Sequence, residues 1–123
     1  MAKKRILLVD DESDIVALTK NRLEANNYEV ITAQSGKEAL EKAKNHKPDL
    51  VLLDIIMHDM DGYEVCKKLK AGEETQDISV VFFTASSSSD LEKKCREIGA
   101  AGFIQKPYEP GELLELVKKT LGD

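Results

Sequence analysis

The feature that most constrains this chain is a strand-length run without a polar residue that ends on two adjacent carboxylates. Residues 6–9 are all aliphatic, and Asp10 and Asp11 follow directly. A strand that is apolar at every position is buried on both faces, which is typical of a parallel sheet covered by helices on each side. Ligands of such sheets bind at the carboxyl ends of the strands, so the two acids lie where a functional site is expected.

Helix capping is a simpler explanation of the same acids. Asp and Ser are preferred at helix N-caps, and Asp11, Ser13 or Asp14 could each do only that. The choice between the two explanations depends on whether other strands also end on chemically useful side chains.

Five strand-like runs alternate with five helical patterns along the chain. This strict alternation predicts a parallel sheet with right-handed crossovers. We therefore predict a doubly wound α/β fold of the flavodoxin-like (βα)5 type, with a five-stranded parallel sheet in the order 2-1-3-4-5. The predicted strands are Arg5–Val9, Glu29–Ala33, Leu50–Leu53, residues 78–83 and Gly102–Gln105.

The first two helices are predicted from their apolar spacing and from one capping signal. The first covers residues 12–26, and the second follows Ser35, whose spacing to Glu38 makes a capping box. The expected inward-facing residues are Ile15, Leu18 and Leu23 on the first helix, and Ala39, Leu40 and Ala43 on the second.

Short signals mark the starts of the other three helices. The third is predicted to begin near Asp61, the fourth near Ser88 or Ser89, and the fifth near Pro110, which suits a first helical turn. The serine run at residues 86–89 is too short and too central for a linker, so it predicts a mobile loop with a helix cap.

The composition fits one domain and limits the classes of partner. With 123 residues, 41% of them hydrophobic, we expect a single domain over residues 1–123. The net charge is −5 and the basic residues are spread among acids, which argues against direct nucleic-acid binding and favours proteins or cations as partners. The first apolar run is too short for a secretory signal or a membrane span, so we expect a cytoplasmic protein. Cys66 and Cys95 fall on apolar helix stripes and are predicted to be core thiols.

The third predicted strand repeats the opening pattern, because its four apolar residues end on Asp54. If the first and third strands are neighbours, Asp10, Asp11 and Asp54 meet at one sheet edge. Two carboxylates about 4 Å apart repel by about 4 kcal/mol at an effective dielectric near 20. Three helix caps would not need to meet there, so the functional interpretation is favoured.

Two more strand ends add groups that complement these acids. Thr84 ends the fourth strand, and Lys106 follows the fifth. Carboxylate oxygens suit a hard cation such as Mg²⁺, which binds through one or two carboxylates together with phosphate oxygens. A hydroxyl and an ammonium group can bind the remaining oxygens of a phosphoryl group.

The whole chain resembles the CheY-like receiver domains of two-component response regulators. The resemblance is carried by a motif set in which each member lies at a strand end in the family's order. Its members are Asp10-Asp11, Asp54, Thr84 and Lys106-Pro107.

The resemblance implies a role for each acid. Asp54 would be the phospho-accepting nucleophile, and Asp11 and Asp54 would be direct Mg²⁺ ligands together with the main-chain carbonyl of Ile56. Asp10 would support the metal through water. No glycine-rich phosphate loop is present, which agrees with a phosphoryl donor supplied by another protein.

The resemblance also implies a switch. Thr84 and Lys106 would bind phosphoryl oxygens, Lys106 would pair with Asp54 before phosphorylation, and Phe103 would turn inward as Thr84 moves. A cis bond before Pro107 would aim the lysine. The readout surface would lie on the fourth helix, fifth strand and fifth helix, which could bind an effector or a second copy, since the fifth helix carries Leu113, Leu114, Leu116, Val117 and Leu121.

His58 departs from the family pattern, which often has proline four residues after the acceptor. A lone loop histidine beside Asp59 is interpreted as a solvated residue in preference to a catalytic base or a metal ligand, because a base must reach the reacting proton. The departure concerns the shape of the loop and not the identity of the acceptor.

Three functions remain in competition. The leading one is a switch phosphorylated by a sensor histidine kinase or phosphotransfer protein, which catalyses only its own phosphorylation and dephosphorylation. The second is a Mg²⁺-dependent phosphohydrolase with an aspartyl-phosphate intermediate, but haloacid-dehalogenase-type enzymes carry an acid where this chain has Ile56. The third is a pseudo-receiver that binds partners without phosphorylation, and the complete set of acids, hydroxyl and lysine argues against it.

Overall fold

The computed structural model describes residues 3–84, 90–106 and 109–122. Strands and helices alternate throughout these ranges, as predicted. The strands are β1 Arg5–Val9, β2 Glu29–Ala33, β3 Leu50–Leu53, β4 Ser79–Thr84 and β5 Gly102–Gln105. The helices are α1 Ser13–Ala25, α2 Gly36–His46, α3 Gly62–Ala71, α4 Leu91–Ile98 and α5 Pro110–Leu121.

The five strands form one parallel sheet in the order β2-β1-β3-β4-β5. The predicted fold class and strand order are confirmed. Val9 pairs with both Ala33 and Leu53, and Leu53 pairs with Phe82, so the central strands end nearly level with one another. The side chains that follow these strands therefore share one edge of the sheet.

Each face of the sheet packs against its own hydrophobic cluster. Leu7, Leu53 and Phe82 point to one face, and their neighbours Leu8 and Phe83 point to the other. Successive residues of a strand face opposite sides, so a fully apolar strand supplies both layers. All five of these side chains are at most 1% exposed.

The prediction for the inner face of α1 is wrong in part. The buried residues are Val16, Thr19 and Leu23, whereas Leu18 is 52% exposed. The spacing of three and four residues between the buried positions follows the helical period, and Leu18 lies on a different face of the helix. An apolar residue on a short helix does not by itself mark the inner face.

The boundaries of β4 and α1 also differ from the prediction. Ile78 precedes β4, and its N–H donates to the carbonyl of Thr75 (3.1 Å) in a turn, so the strand runs to Thr84. Helix α1 begins at Ser13 with Glu12 as its N-cap, and no side chain of that cap accepts a hydrogen bond. The capping explanation for the neighbouring acids is therefore weakened.

The other helix signals agree with the structure. Ser35 Oγ accepts from the N–H of Glu38 (3.1 Å), although the carboxylate of Glu38 accepts from the N–H of Gln34 and not from that of Ser35. Asp61 caps α3 as predicted. The predicted start of α4 at Ser88 or Ser89 lies outside the described residues.

Both cysteines are buried, as predicted, and burial raises the pKa of the Cys66 thiol to about 11. In the described part of the chain, every helix is too short or too polar to cross a membrane.

Candidate functional site

Two carboxylates lie directly beyond the two central strands. Asp10 follows β1 and is fully buried, and Asp54 follows β3 and is 6% exposed. The N–H of Asp54 donates to the carbonyl of Val9 (3.1 Å), which continues the pairing of the two strands by one residue. The parallel register therefore brings these two acids together, as their positions in the sequence predicted.

Lys106 lies between the two carboxylates. Its Nζ is 2.9 Å from Asp10 Oδ2 and 3.6 Å from Asp54 Oδ2. The N–H of Lys106 donates to the carbonyl of Thr84 (2.7 Å), which fixes the chain just beyond β5. The expected pair with Asp54 is present, but the shorter contact is to Asp10. One cation thus faces two buried anions.

Burial and neighbouring charges together raise the pKa values of Asp54 and Lys106. Burial raises the pKa of Asp54, the nearby Lys106 lowers it and the charge of Asp10 raises it, with a net result above the usual value. Burial lowers the pKa of Lys106, but its hydrogen bond to Asp10 and the charges of Asp54 and Asp10 outweigh that effect. The lysine therefore keeps its proton while the charged form of Asp54 is disfavoured, and a bound cation would offset that cost.

The carboxylates that follow β1 form a group suited to a hard cation. Ligand atoms of Asp10, Asp11 and Glu12 all lie within 4.8 Å of one another. Oxygen-only donors are those that Mg²⁺ prefers, so the donor set fits that ion. Glu12 was not among the predicted ligands, although its position beside the two aspartates was the available signal. The N–H of Glu12 donates to Asp10 Oδ1 (3.0 Å), which orients the buried acid.

Ile56, predicted to offer its main-chain carbonyl, lies two residues after Asp54 in the same turn. Its N–H donates to Asp54 Oδ1 (3.3 Å), and its side chain is 66% exposed. The roles of that carbonyl and of Asp54 as metal ligands stay predictions.

Thr84 and Phe103 lie on the same side of the sheet. Thr84 is the fully buried last residue of β4 and pairs with Gln105, while Phe82 pairs with Phe103. Residues that are two apart on a strand face the same side, so Phe103 is a diagonal neighbour of Thr84. Phe103 is partly buried and packs against the cluster that contains Phe82. The two residues are thus diagonal neighbours on adjacent strands, and their role in a switch stays a prediction.

Comparison with known proteins identifies the family. Residues 6–118 match the response regulator receiver domain. The chain belongs to this family. It is 41% identical over 118 residues to the alkaline phosphatase synthesis transcriptional regulatory protein PhoP of Bacillus subtilis. That alignment covers 96% of this chain but only 48% of PhoP. It is 38% identical over 120 residues to the polar-differentiation response regulator DivK of Brucella ovis, covering 98% of both.

Solved receiver structures agree with the fold. A CheY-like receiver domain protein from Methanospirillum hungatei superposes with a TM-score of 0.91 at 35% identity, covering 98% of this chain and 94% of that one. The chemotaxis protein CheY4 of Vibrio cholerae gives a TM-score of 0.92 at 30% identity, covering 98% and 100%. The chain spans about half the length of PhoP and nearly all of DivK, so its relatives include both longer and similarly sized response regulators.

This receiver contains two supporting residues that sequence reasoning missed. Lys106 Nζ lies 4.7 Å from the centre of the Phe83 ring, a cation–π contact beneath the site. A Cβ on Gly62 would lie 2.4 Å from the carbonyl oxygen of Asp54 and 2.8 Å from Ile55 Cα, so only glycine fits against the backbone of the acceptor. The sequence predicted only that the third helix begins near Asp61, and not this close approach.

His58 is exposed, as predicted, yet it has an unforeseen contact. Its side chain is 92% exposed, and its Nε2 lies 3.2 Å from Asp11 Oδ2. Neighbouring Asp59 accepts from the N–H groups of Gly36 and Lys37, both at 2.9 Å, and these bonds lower its pKa. Pro107, for which a cis bond was predicted, lies outside the described residues.

Proposed function

We propose that this receiver is a signalling switch that accepts a phosphoryl group on Asp54 and thereby changes the surface offered to a partner protein. The observation that carries the proposal is the placement of Asp54, a nearly buried carboxylate 3.6 Å from Lys106 and beside the acidic group that follows β1. Membership of the response regulator receiver family supports the same role. The donor is proposed to be a sensor histidine kinase or a phosphotransfer protein.

The chemistry follows from the charges that surround Asp54. A carboxylate is a weak nucleophile, and transfer to it requires the phosphoryl charge to be neutralised and the donor to be held in line. A new oxygen–phosphorus bond forms at Asp54 as the bond from phosphorus to the donor breaks, and the donor keeps that electron pair and takes up a proton. Lys106 and Thr84 would bind the phosphoryl oxygens. The partner protein would hold the donor in line.

The proposed cofactor is Mg²⁺. Asp11, Asp54 and the Ile56 carbonyl would hold it, Asp10 would contribute through water, and Glu12 lies close enough to join the group. When bound, the ion would neutralise charge on the transferring phosphoryl group. This requirement accords with the excess of buried anions over cations around Lys106.

The readout is proposed to pass through Thr84 and Phe103. A phosphoryl group adds about −1.5 to −2 charges and three acceptor oxygens, which would draw the Thr84 hydroxyl toward Asp54. Space opened behind Thr84 would admit the partly buried ring of Phe103. The affected surface would comprise α4, β5 and α5, and it would bind an effector protein or a second copy of the chain.

Helix α5 offers less free apolar surface than its sequence suggested. Leu113 and Val117 are buried, and Leu114, Leu116 and Leu121 are partly buried against the same cluster. Pairing through α5 would therefore use the edges of these side chains together with the surrounding charged residues. We further propose that residues 1–123 form one receiver domain with a cytoplasmic location.

The proposal can be tested by treating the protein with a small phosphodonor, with and without Mg²⁺. The mass of the intact protein and the amount of free phosphate are then measured. We expect one phosphoryl group on the wild type in the presence of Mg²⁺, and none on Asp54→Asn. Asp49→Asn is the matched control, because Asp49 is an exposed acid just before β3, and it should be labelled like the wild type.

The same measurement separates the competing functions. Rapid release of phosphate from many added substrates would indicate a phosphohydrolase, and no uptake at all would indicate a pseudo-receiver. Labelling that survives in Asp54→Asn would contradict the assignment of the acceptor.

A further inference from the structure

A ring nitrogen borders the acidic site. Asp11 Oδ2 lies 3.2 Å from His58 Nε2, where the loop between β3 and α3 passes the end of β1. The side chain of Asp11 is 19% exposed and that of His58 is 92% exposed, so the pair lies at the mouth of the site. A nitrogen donor and an oxygen donor are therefore both open to an ion that arrives from solvent.

The loop that carries His58 is fixed on both sides of the histidine. Asp59 binds the first N–H groups of α2, which anchors the next residue to a different helix. Beyond it, Asp61 caps α3 through the N–H of Glu64 (2.8 Å), and the N–H of Gly62 donates to the carbonyl of Ile55 (2.7 Å). The backbone on both sides of His58 is thus fixed near Asp11, although the ring itself is exposed.

The separation of the two donor atoms fits two ligands of one metal ion. Metal–nitrogen and metal–oxygen bonds near 2.1 Å place adjacent donors about 3.0 Å apart at a right angle and about 3.4 Å apart at the tetrahedral angle. The observed 3.2 Å lies between these values. This distance is longer than the roughly 2.7–2.9 Å of a strong charge-assisted hydrogen bond, so the direct contact between His58 and Asp11 is a weak one.

We propose that His58 and Asp11 bind a divalent transition cation of the imidazole-favouring class, represented by Ni²⁺, at the mouth of the acidic site. The inference rests on the proposed function in that it concerns the same metal site. Asp10 and Glu12 supply the neighbouring carboxylates. Imidazole favours Ni²⁺, Zn²⁺ and Cu²⁺, whereas Mg²⁺ favours carboxylates and water, so His58 broadens the choice of metal.

Calorimetric titration of the untagged full chain with Ni²⁺ and with Mg²⁺, at about pH 8 where free imidazole is neutral, tests the proposal. We expect His58→Ala to weaken Ni²⁺ binding at least tenfold and to change Mg²⁺ binding less than twofold. The chain has 2 histidines, so His46→Ala is the matched control. His46 is exposed at the end of α2, where its carbonyl accepts from Arg5 Nη1 (2.6 Å), and its replacement should leave both affinities unchanged.

Two outcomes would overturn the inference. Equal Ni²⁺ affinity in the wild type and His58→Ala would show that the ring is not a ligand. Equal losses of Ni²⁺ and Mg²⁺ affinity would show that His58 only shapes the loop.

A second readout uses the unaltered protein. Paramagnetic Ni²⁺ should shift or broaden the ring resonances of His58 at concentrations that leave those of His46 unchanged, and the same response in both rings would contradict the assignment. These readouts do not depend on phosphoryl transfer. A receiver that fails to label Asp54 can therefore still bind Ni²⁺ through His58, and one that labels normally can fail to bind it.

Discussion

The two ends of the sheet carry similar charged residues in very different surroundings. At the amino end, Arg5 Nε pairs with Glu29 (2.9 Å) and Arg5 Nη1 donates to the carbonyl of His46 (2.6 Å). The N–H of Arg5 donates to Asp49 Oδ2 (2.8 Å). These side chains are partly or fully exposed, so water screens their charges.

At the carboxyl end the same kinds of group, again one cation with two carboxylates, are buried. Asp10 and Asp54 share Lys106, and all three are largely removed from water. Burying charges costs more than their pairing returns unless the balance is complete. The difference shows that this fold can place acids and bases near solvent, and that at one end it instead buries an excess of acidic groups, which a bound cation would neutralise.

Removal of the shared cation should produce the largest difference between the two ends. Lys106→Met leaves two buried carboxylates without that partner, and we expect it to lower the free energy of unfolding by about 3 kcal/mol at pH 7. Arg5→Met breaks exposed contacts and should cost about 1 kcal/mol or less. Urea denaturation followed by circular dichroism measures both. Equal losses would mean that burial does not distinguish the two clusters.

Metal affinity should also depend on one end alone. Asp11→Ala removes a carboxylate oxygen from the acidic group, and we expect it to weaken Mg²⁺ binding roughly tenfold to hundredfold. Asp49→Ala removes an acid from the other end and should leave that affinity unchanged. Calorimetric titration with Mg²⁺ measures both variants, and an unaltered affinity in Asp11→Ala would remove Asp11 from the set of ligands.

Gly62 begins α3 and Gly72 caps its end, so substitutions at these two glycines compare the rigidity of the backbone at the two ends of the helix. A Cβ at Gly62 meets the backbone of Asp54 and Ile55, which cannot move without shifting the acceptor, so Gly62→Ala should cost about 2–3 kcal/mol. A Cβ at Gly72 meets Thr75 Oγ1 at 2.7 Å, a side-chain atom that can rotate away. Gly72→Ala should therefore cost about 1 kcal/mol, mainly the buried hydrogen bond from Thr75 to the Leu69 carbonyl.

Thermal or urea unfolding of the two glycine variants checks this order. A smaller loss in Gly62→Ala than in Gly72→Ala would indicate that the loop after β3 yields more readily than the end of α3. It would also weaken the argument that a rigid loop holds His58.

The sequence was sufficient to predict the positions of those site residues that lie directly at the end of a strand. Asp10, Asp54 and Thr84 each end or follow a buried strand, and parallel pairing brings them to one edge whatever their rotamers. The partner that Lys106 contacts more closely could not be predicted, because a long side chain can reach either acid. The family pattern favoured Asp54, and the structure has the shorter contact to Asp10.

Contacts across loops were less predictable. His58 and Asp11 are far apart in the sequence, and their meeting depends on how Asp59 attaches the loop to α2. The inner face of α1 was predicted wrongly in part, because the polar Thr19 is buried while the apolar Leu18 is exposed. On this helix the spacing of the buried residues was a better guide than their polarity. Local patterns thus predicted elements and strand ends, whereas tertiary contacts determined the finer placement.

The smallest expected effect concerns the acceptor itself and has a definite sign. Burial raises the pKa of Asp54, and the charge of Asp10 adds to this effect while Lys106 opposes it. The folded protein therefore binds more protons than the unfolded chain between the usual pKa and the raised one, so stability falls as pH rises through that window. Asp54→Asn removes this penalty and should raise the free energy of unfolding slightly at pH 7.

The pH dependence distinguishes this account from a simple change in packing. Below the usual Asp pKa of about 3.9, Asp54 is neutral in the folded and in the unfolded protein, so the wild type and Asp54→Asn should converge in stability there and separate as pH rises. Asp59 offers the opposite sign, because hydrogen bonds from Gly36 and Lys37 lower its pKa, so Asp59→Asn should be less stable than the wild type at pH 7. That gap should close as pH falls through the lowered pKa. Two results would contradict this account: a lower stability of Asp54→Asn than of the wild type at pH 7, or a difference in stability between the two that does not change with pH. Either would show that the buried charge of Asp54 does not destabilise the carboxyl end of the sheet.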